Sequence, residues 1–232
     1  MSTVDAGESS GFADPGVPVI AAEAQRTMVR YSFGERVMHW WVGLTFVALM
    51  ISGFALGYPR AYFLSGLFGG GQTMRFLHPW IGVAFTLGIL AMIVTWLRDM
   101  RFQAGDRDWL GRLRSYTRQG HTGIDTGRYN AGQKGYYWFA VVLGLVLFLT
   151  GLPIWGGALG GAAGIHHIAR FLHHGAFLLM VGGFIIHVYM STIMFPGTMS
   201  SMTSGRVTRA WAAWHHPRWF RDEEKLRGGA GR

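Results

Sequence analysis

Histidines within an apolar stretch are the residues of this chain best suited to chemistry. From Phe171 to Gly205 the sequence has no Asp, Glu, Lys or Arg, yet it contains His173, His174 and His187. On a helix, His173 and His187 share a face and lie about 21 Å apart along the axis, whereas His174 points elsewhere. Because neutral imidazole binds haem iron and other transition metals, the stretch predicts two metal-binding positions. The alternative is a pair of histidines that bond to neighbouring helices, since a polar group at membrane depth needs a partner.

Four apolar runs indicate an integral membrane protein. Half of the 232 residues are hydrophobic, and each run is about as long as a helix that crosses a bilayer. The predicted spans are residues 37–58, 76–97, 135–155 and 169–195. The sequence therefore predicts an all-α, four-transmembrane-helix bundle over residues 31–205. A flexible N-terminal tail, 1–30, is expected before it and a basic cytoplasmic tail, 206–232, after it.

The charged residues are consistent with a membrane protein rather than a nucleic-acid-binding one. The net charge is +9, but the basic residues flank the apolar runs. Cysteine is missing from the sequence, which excludes disulfides, iron–sulfur ligation and thiolate ligation of haem by this chain.

Basic residues also predict the orientation. Four spans place both termini and the long loop, 98–134, on one side of the membrane. All but three of the 21 Lys and Arg residues are on that side, and the exceptions are Arg60, Arg75 and Arg170. The positive-inside rule then places both termini and the loop in the cytoplasm.

This topology sorts the histidines of the spans into two pairs. His39 begins an outward-going span and His187 lies toward the end of an inward-going one, so both are expected near the cytoplasmic face. His78 and His173 begin inward-going spans, so both are expected near the outer face. Two six-coordinate haems would use all four, and a four-helix bundle is a known host for such sites. Of the remaining histidines, His166 and His167 are expected at the outer interface, and His174 is expected to be a packed or hydrogen-bonded neighbour. Solvated surface roles are expected for His121, His215 and His216.

Two haems with both axial positions filled would leave no position at iron for oxygen or substrate. Electrons would then enter at one face and leave at the other. A partner subunit is expected to supply them, and a lipid-soluble quinone is the natural acceptor within the membrane.

Five motifs between Val29 and Lys225 carry a family resemblance. They are Arg36-Val-Met-His39-Trp40, Arg75-Phe-Leu-His78-Pro79, Arg128-Tyr-Asn-Ala-Gly-Gln-Lys134, Ile186-His187-Val-Tyr-Met190 and Trp211-Ala-Ala-Trp-His-His-Pro-Arg-Trp219. With these motifs the chain resembles the cytochrome b (gamma) subunit of membrane-bound respiratory formate dehydrogenase. The histidine motifs are shared with the wider cytochrome b class, including hydrogenase subunits.

The resemblance implies two haem b groups and a quinone, menaquinone or ubiquinone, as substrate. The cytoplasmic-side haem would be held by His39 and His187, and the outer haem by His78 and His173. The quinone would bind beside His187, at Asn130, Ala131, Gly132 and Gln133. Asn130 and backbone N–H groups could bond a quinone carbonyl, and glycine permits close approach. The alternative is a helix-capping turn without a ligand.

The resemblance also implies an electron-transfer subunit rather than the formate-oxidising one, with no catalytic residue of its own. Its expected partners are an iron–sulfur (beta) subunit at the outer face and, through it, the catalytic (alpha) subunit. The expected location is the bacterial inner membrane. The rival interpretations are the cytochrome b subunit of a membrane-bound hydrogenase and a haem-free anchor or transporter, although no internal repeat favours a transporter.

Overall fold

Four long helices form a bundle in the computed structural model, which describes residues 23–119, 124–155 and 163–229. Each is long and apolar enough to cross a membrane, and their outer surfaces expose large apolar side chains such as Leu44, Leu87 and Ile185. The prediction of an all-α integral membrane protein with four spanning helices is therefore confirmed.

The elements follow one another in a simple order. The order is β1 Thr27–Val29, α1 Phe33–Gly57, a 3-10 helix Pro59–Phe68, α2 Gly71–Trp96, α3 Ala104–Gly111, α4 Leu113–Gln119, α5 Ala131–Ile154, α6 Ala163–Tyr189, α7 Ser200–Thr203, β2 Arg206–Thr208, α8 Arg209–His215 and α9 Pro217–Gly229. The bundle helices are α1, α2, α5 and α6, and α6 continues into a π-helical turn, Met190–Met194.

The helices begin four to six residues before the predicted spans because their polar first turns are helical too. In α1, Ser32 and Glu35 form a capping box, in which the Glu35 N–H donates to Ser32 Oγ and the Ser32 N–H to the Glu35 carboxylate. An apolar run marks the part of a helix inside the membrane, whereas the cap sets its start. The glycine- and alanine-rich composition of residues 156–164 predicts a short turn. Most of this segment lies outside the described residues, and its last two positions belong to α6.

Both chain ends differ from the prediction of two tails. The N-terminal tail was expected to reach residue 30, but residues 27–29 form β1, which pairs antiparallel with β2, Met28 facing Val207. The expected basic tail folds as β2, α8 and α9. Met28 and Val207 are fully buried with Trp211 and Trp219, so apolar burial orders a segment whose charge suggested solvation. We call this end of the bundle the sheet end, and the opposite end, beside the 3-10 helix, the far end.

The connection between α7 and β2 depends on Gly205. Its φ is +78°, and a Cβ there would lie 2.7 Å from the Tyr31 carbonyl oxygen. Its own carbonyl accepts the N–H groups of Arg30 and Tyr31.

We expect Gly205→Ala to lower the free energy of unfolding by about 1–2 kcal/mol, since an L residue is disfavoured at this φ. Thermal unfolding in detergent would measure it. Gly34→Ala is the matched control, because nothing lies within 4 Å of that position; equal unfolding temperatures for the two variants would contradict the prediction.

Candidate metal centres

The first histidine pair lies at the sheet end. His39 comes from the start of α1 and His187 from the end of α6, and their ring centroids are 6.1 Å apart. Both side chains are half-buried between the helices. The structure therefore brings together the two residues predicted for the cytoplasmic-side haem.

The second pair lies at the far end. His78 is in the second turn of α2 and His173 in the first half of α6, and their ring centroids are 6.5 Å apart. Between the two pairs lies an apolar layer from all four helices, which contains Phe46, Phe85, Ile89, Val141 and Met180. The two pairs are thus separate sites at the two ends of one bundle.

The spacing within each pair fits a shared metal ion. With metal–nitrogen bonds of about 2 Å on opposite sides of one ion, two imidazole rings have centroids about 6 Å apart. Two unligated rings in direct contact can adopt other separations, so direct contact alone does not explain why both pairs have nearly the same one. A haem iron fits this donor set, because the porphyrin would supply four nitrogens and the two imidazoles would complete a six-coordinate iron.

Hydroxyl groups determine the tautomer at the far end. Ser52 Oγ lies 2.7 Å from His78 Nδ1 and 2.8 Å from the Ala48 carbonyl oxygen. Its single proton goes to the carbonyl, so the hydroxyl oxygen accepts a hydrogen bond from His78 Nδ1–H. This leaves Nε2 unprotonated, as a metal ligand must be.

Thr150 performs the same task for His173. Thr150 Oγ1 donates to the Val146 carbonyl oxygen at 2.6 Å and lies 3.0 Å from His173 Nδ1. The sequence analysis missed both hydroxyl residues. Their signal was weak, because Ser and Thr in apolar helices commonly bond only to the preceding turn.

The sheet-end pair has different neighbours. His39 Nδ1 is buried and has no hydrogen-bond partner among the described residues. The His187 ring stacks on Tyr136, with centroids 4.5 Å apart and planes 5° apart. No role was predicted for Tyr136, which lies near the start of the third span, at the depth of His187.

Three histidines outside the two pairs make contacts within the protein. His174 is exposed and bonds through Nδ1 to the Arg170 carbonyl oxygen, as predicted for a neighbour outside the pairs. The solvated role expected for His215 and His216 is wrong. His215 packs against aromatic rings that include Trp211. His216 is 1% exposed, donates through Nδ1–H to the Gly127 carbonyl oxygen and accepts from Arg30. Burial and the nearby Arg30 charge hold the pKa of His216 well below its usual value.

The predicted quinone residues form the N-terminal cap of α5. Asn130 Oδ1 accepts the Gln133 N–H at 2.9 Å, and Gln133 Oε1 accepts the Asn130 N–H at 3.0 Å. The capping turn considered from the sequence is therefore present. The helix offers no acceptor for the N–H groups of Ala131 and Gly132, which belong to its first turn.

Aromatic and charged groups from the loop enclose this cap. Asn130 Nδ2 donates to the Tyr116 hydroxyl at 3.3 Å, and burial raises the pKa of Tyr116 to about 12, so the phenol stays protonated at neutral pH. A Cβ on Gly132 would lie 3.0 Å from the Trp109 ring. Lys134 pairs with Asp106 at 2.7 Å, and both are buried. The cap is thus held rigidly against α3 and α4.

Arg128 connects this loop to the bundle. It bonds to the Glu35 carboxylate at 2.7 Å and to Asp99 at 3.0 Å, and Glu35 also accepts from the Trp96 indole N–H. Burial opposes the charge of Arg128, but the Glu35 carboxylate that accepts its hydrogen bond helps to hold the pKa of Arg128 above its usual value. The Arg128–Lys134 motif therefore has a structural basis in three ion pairs and a helix cap.

The family of the chain follows from comparison with known proteins. The sequence profile described as prokaryotic cytochrome b561 matches residues 30–205, which include all four paired histidines. The chain belongs to this family. The family therefore implies that this chain is a membrane protein that binds haem b. Among the described residues, the two histidine pairs fit such a group.

Curated relatives of this cytochrome b561 family member are subunits of one kind of enzyme. The formate dehydrogenase cytochrome b556(fdo) subunit of Escherichia coli K12 is 33% identical over 201 residues, which cover 86% of this chain and 94% of that one. The nitrate-inducible cytochrome b556(Fdn) subunit of the same organism is 31% identical over 203 residues, or 86% and 93% of the two chains. A formate dehydrogenase cytochrome b556 subunit of Haemophilus influenzae is 27% identical over 199 residues. The predicted resemblance is confirmed at the level of the family.

Proposed function

We propose that this chain is the dihaem electron-transfer subunit and membrane anchor of a formate dehydrogenase. Electrons would arrive from an iron–sulfur subunit at the outer face and leave to a quinone near the cytoplasmic face. The observation that carries the proposal is the pair of histidine sites at opposite ends of the bundle, each with the ring spacing of two imidazoles that share one ion. The names of the relatives support the choice of enzyme.

In this proposal the four histidines would be the haem ligands. His39 and His187 would hold one haem b and His78 and His173 the other. When bound, each haem would supply one reversible one-electron site. Because each haem would be held by two imidazoles, the protein would exclude oxygen and substrate from the iron. The apolar layer around Phe46 and Met180 keeps the two sites apart and excludes water between them.

The proposed orientation places the sheet end in the cytoplasm. Its support is the loop 98–134 and the segment from β2 to α9, which pack together at this end through contacts such as Arg218 with Gln103 and carry most of the basic residues. The far end, with His78 and His173, would then face the outer side of a bacterial inner membrane. The proposal therefore includes a four-span membrane domain followed by a basic segment in the cytoplasm.

The proposed quinone position is the start of α5. The N–H groups of Ala131 and Gly132 lie at the positive end of the helix dipole, which favours the negative charge of a quinone as it is reduced. Asn130 and Gln133 would shape the site through the cap they form together. Tyr136, one and a half turns further along α5, stacks on His187 and would connect the quinone position to the sheet-end pair.

The proposed partners are an iron–sulfur (beta) subunit and, through it, a catalytic (alpha) subunit. The support is that the relatives are named as subunits of formate dehydrogenase. This chain would contribute electron transfer and quinone reduction to that complex and would not oxidise formate itself.

The test is a haem count followed by a choice of reductant. Reduced-minus-oxidised spectra with pyridine haemochrome quantitation on the purified chain should give about two haem b per chain. In the assembled complex, formate should reduce both haems and quinone should reoxidise them. Reduction by hydrogen with formate inert would favour the hydrogenase interpretation, and a folded, haem-replete preparation without a Soret band would overturn the proposal.

A further inference from the structure

The hydroxyl bonds at the far end distinguish the two histidine pairs electronically. We infer that Ser52 and Thr150 are positioning residues that lower the reduction potential of the far-end haem relative to the sheet-end haem. The inference rests on the proposed function, because it concerns the haem that His78 and His173 would hold.

The first step is the direction of the hydrogen bonds. Each hydroxyl gives its own proton to a carbonyl one turn earlier, Ala48 for Ser52 and Val146 for Thr150. Each therefore accepts from the Nδ1–H of its histidine, at 2.7 Å for His78 and 3.0 Å for His173. A ligating imidazole that donates its second N–H is a more basic ligand.

The second step is the effect on the iron. A more basic axial ligand stabilises the ferric state more than the ferrous state, so the reduction potential falls. Both ligands of the far-end haem receive this effect. Ser52 is fully buried, so water does not compete for its bond with His78.

The third step is the contrast with the sheet end. His39 Nδ1 has no partner among the described residues, and the His187 ring stacks on the face of Tyr136 rather than on an acceptor oxygen. The sheet-end haem thus lacks, at His39, the bond that both far-end ligands have. Electrons would move from the lower potential at the far end to the higher potential at the sheet end, which is the direction of the proposed function.

The experiment is a potentiometric titration of the purified, haem-loaded chain and of its Ser52→Ala and Thr150→Val variants. Wild type should give two waves. In each variant we expect the lower wave to rise and the upper wave to stay in place. A roughly tenfold change in the ferric-to-ferrous equilibrium, the lower end of second-shell effects on metal sites, corresponds to about 59 mV for one electron.

Two controls separate the hydroxyl bond from general packing effects. Thr150→Ser keeps a hydroxyl and should return the lower wave to its wild-type position. Thr86→Val removes a buried hydroxyl that bonds only to the Gly82 carbonyl oxygen in the bonds seen here, and it should move neither wave. Selective loss of one haem from Ser52→Ala and Thr150→Val, with both retained in Thr86→Val, would also support the positioning role.

The results that overturn the inference are distinct from those that overturn the proposed function. Two retained haems with unshifted waves in both Ser52→Ala and Thr150→Val would refute the inference, as would a downward shift of the lower wave. A wild-type chain that binds fewer than two haems would refute the dihaem proposal before any variant is made.

Discussion

His78→Ala is expected to remove one of two haems and to stop electron transfer from formate to quinone in the assembled enzyme. His78 forms one half of the far-end pair, and without it His173 cannot complete a six-coordinate iron. Substitution of groups that merely support a ligand costs about 10–100-fold in metal affinity or activity, so loss of the ligand itself should cost more than about 100-fold. The measurements are the haem content of the purified complex and the rate of formate-dependent quinone reduction.

The control for this prediction is His174→Ala. His174 is adjacent to His173 in sequence but exposed, and it bonds only to a backbone carbonyl in the contacts described. It should retain two haems and near wild-type transfer. A His78→Ala enzyme with two haems and unchanged quinone reduction would contradict the far-end assignment.

Lys134→Met is expected to destabilise the chain by about 3–5 kcal/mol, because it leaves the buried Asp106 carboxylate without its cation. The two groups are 2.7 Å apart, with side chains 4% and 10% exposed. The carboxylate also caps α3 by accepting the Gln103 N–H. Thermal unfolding in detergent, followed by circular dichroism, would measure the effect.

Two further variants test whether burial is the cause. The double variant Lys134→Met, Asp106→Leu removes both charges and should recover much of the loss, since a buried pair can be replaced by apolar groups at little cost. Arg221→Met breaks the Arg221–Asp125 pair, whose side chains are each 53% exposed, and should cost about 0–1 kcal/mol. An unfolding temperature of Lys134→Met equal to that of Arg221→Met would refute the prediction.

The bundle and the histidine pairs were predictable because they depend on periodic features. Apolar runs of membrane length specify spans, and the helical repeat places His173 and His187 on one face. The number of spans then determines which histidines share a depth. The structure brings His39 to His187 and His78 to His173, as this reasoning expected, although ligation of haem by these pairs stays a prediction.

The remaining features depend on contacts between distant segments. Ser52 and Thr150 are ordinary helix residues in the sequence, and only the packing of their helices places them beside His78 and His173. The fold of the C-terminal segment depends on Met28, about 180 residues earlier, which completes its apolar core. Similarly, the buried His216 bonds to the Gly127 carbonyl oxygen, 89 residues earlier in the chain. Local composition alone therefore predicted solvated tails for these segments.

The length of α6 between His173 and His187 determines how much work an electron must do against the membrane potential. Fourteen residues rise about 21 Å, which is roughly two thirds of a hydrocarbon core of about 30 Å. In the proposed orientation an electron that moves from the far-end pair to the sheet-end pair travels toward the negative side of an energised membrane. At 100 mV this step opposes the electron by about 1.5 kcal/mol. In the proposed function, the same helix that holds both sites would therefore make the rate of quinone reduction sensitive to membrane voltage, and each electron delivered would charge the membrane further.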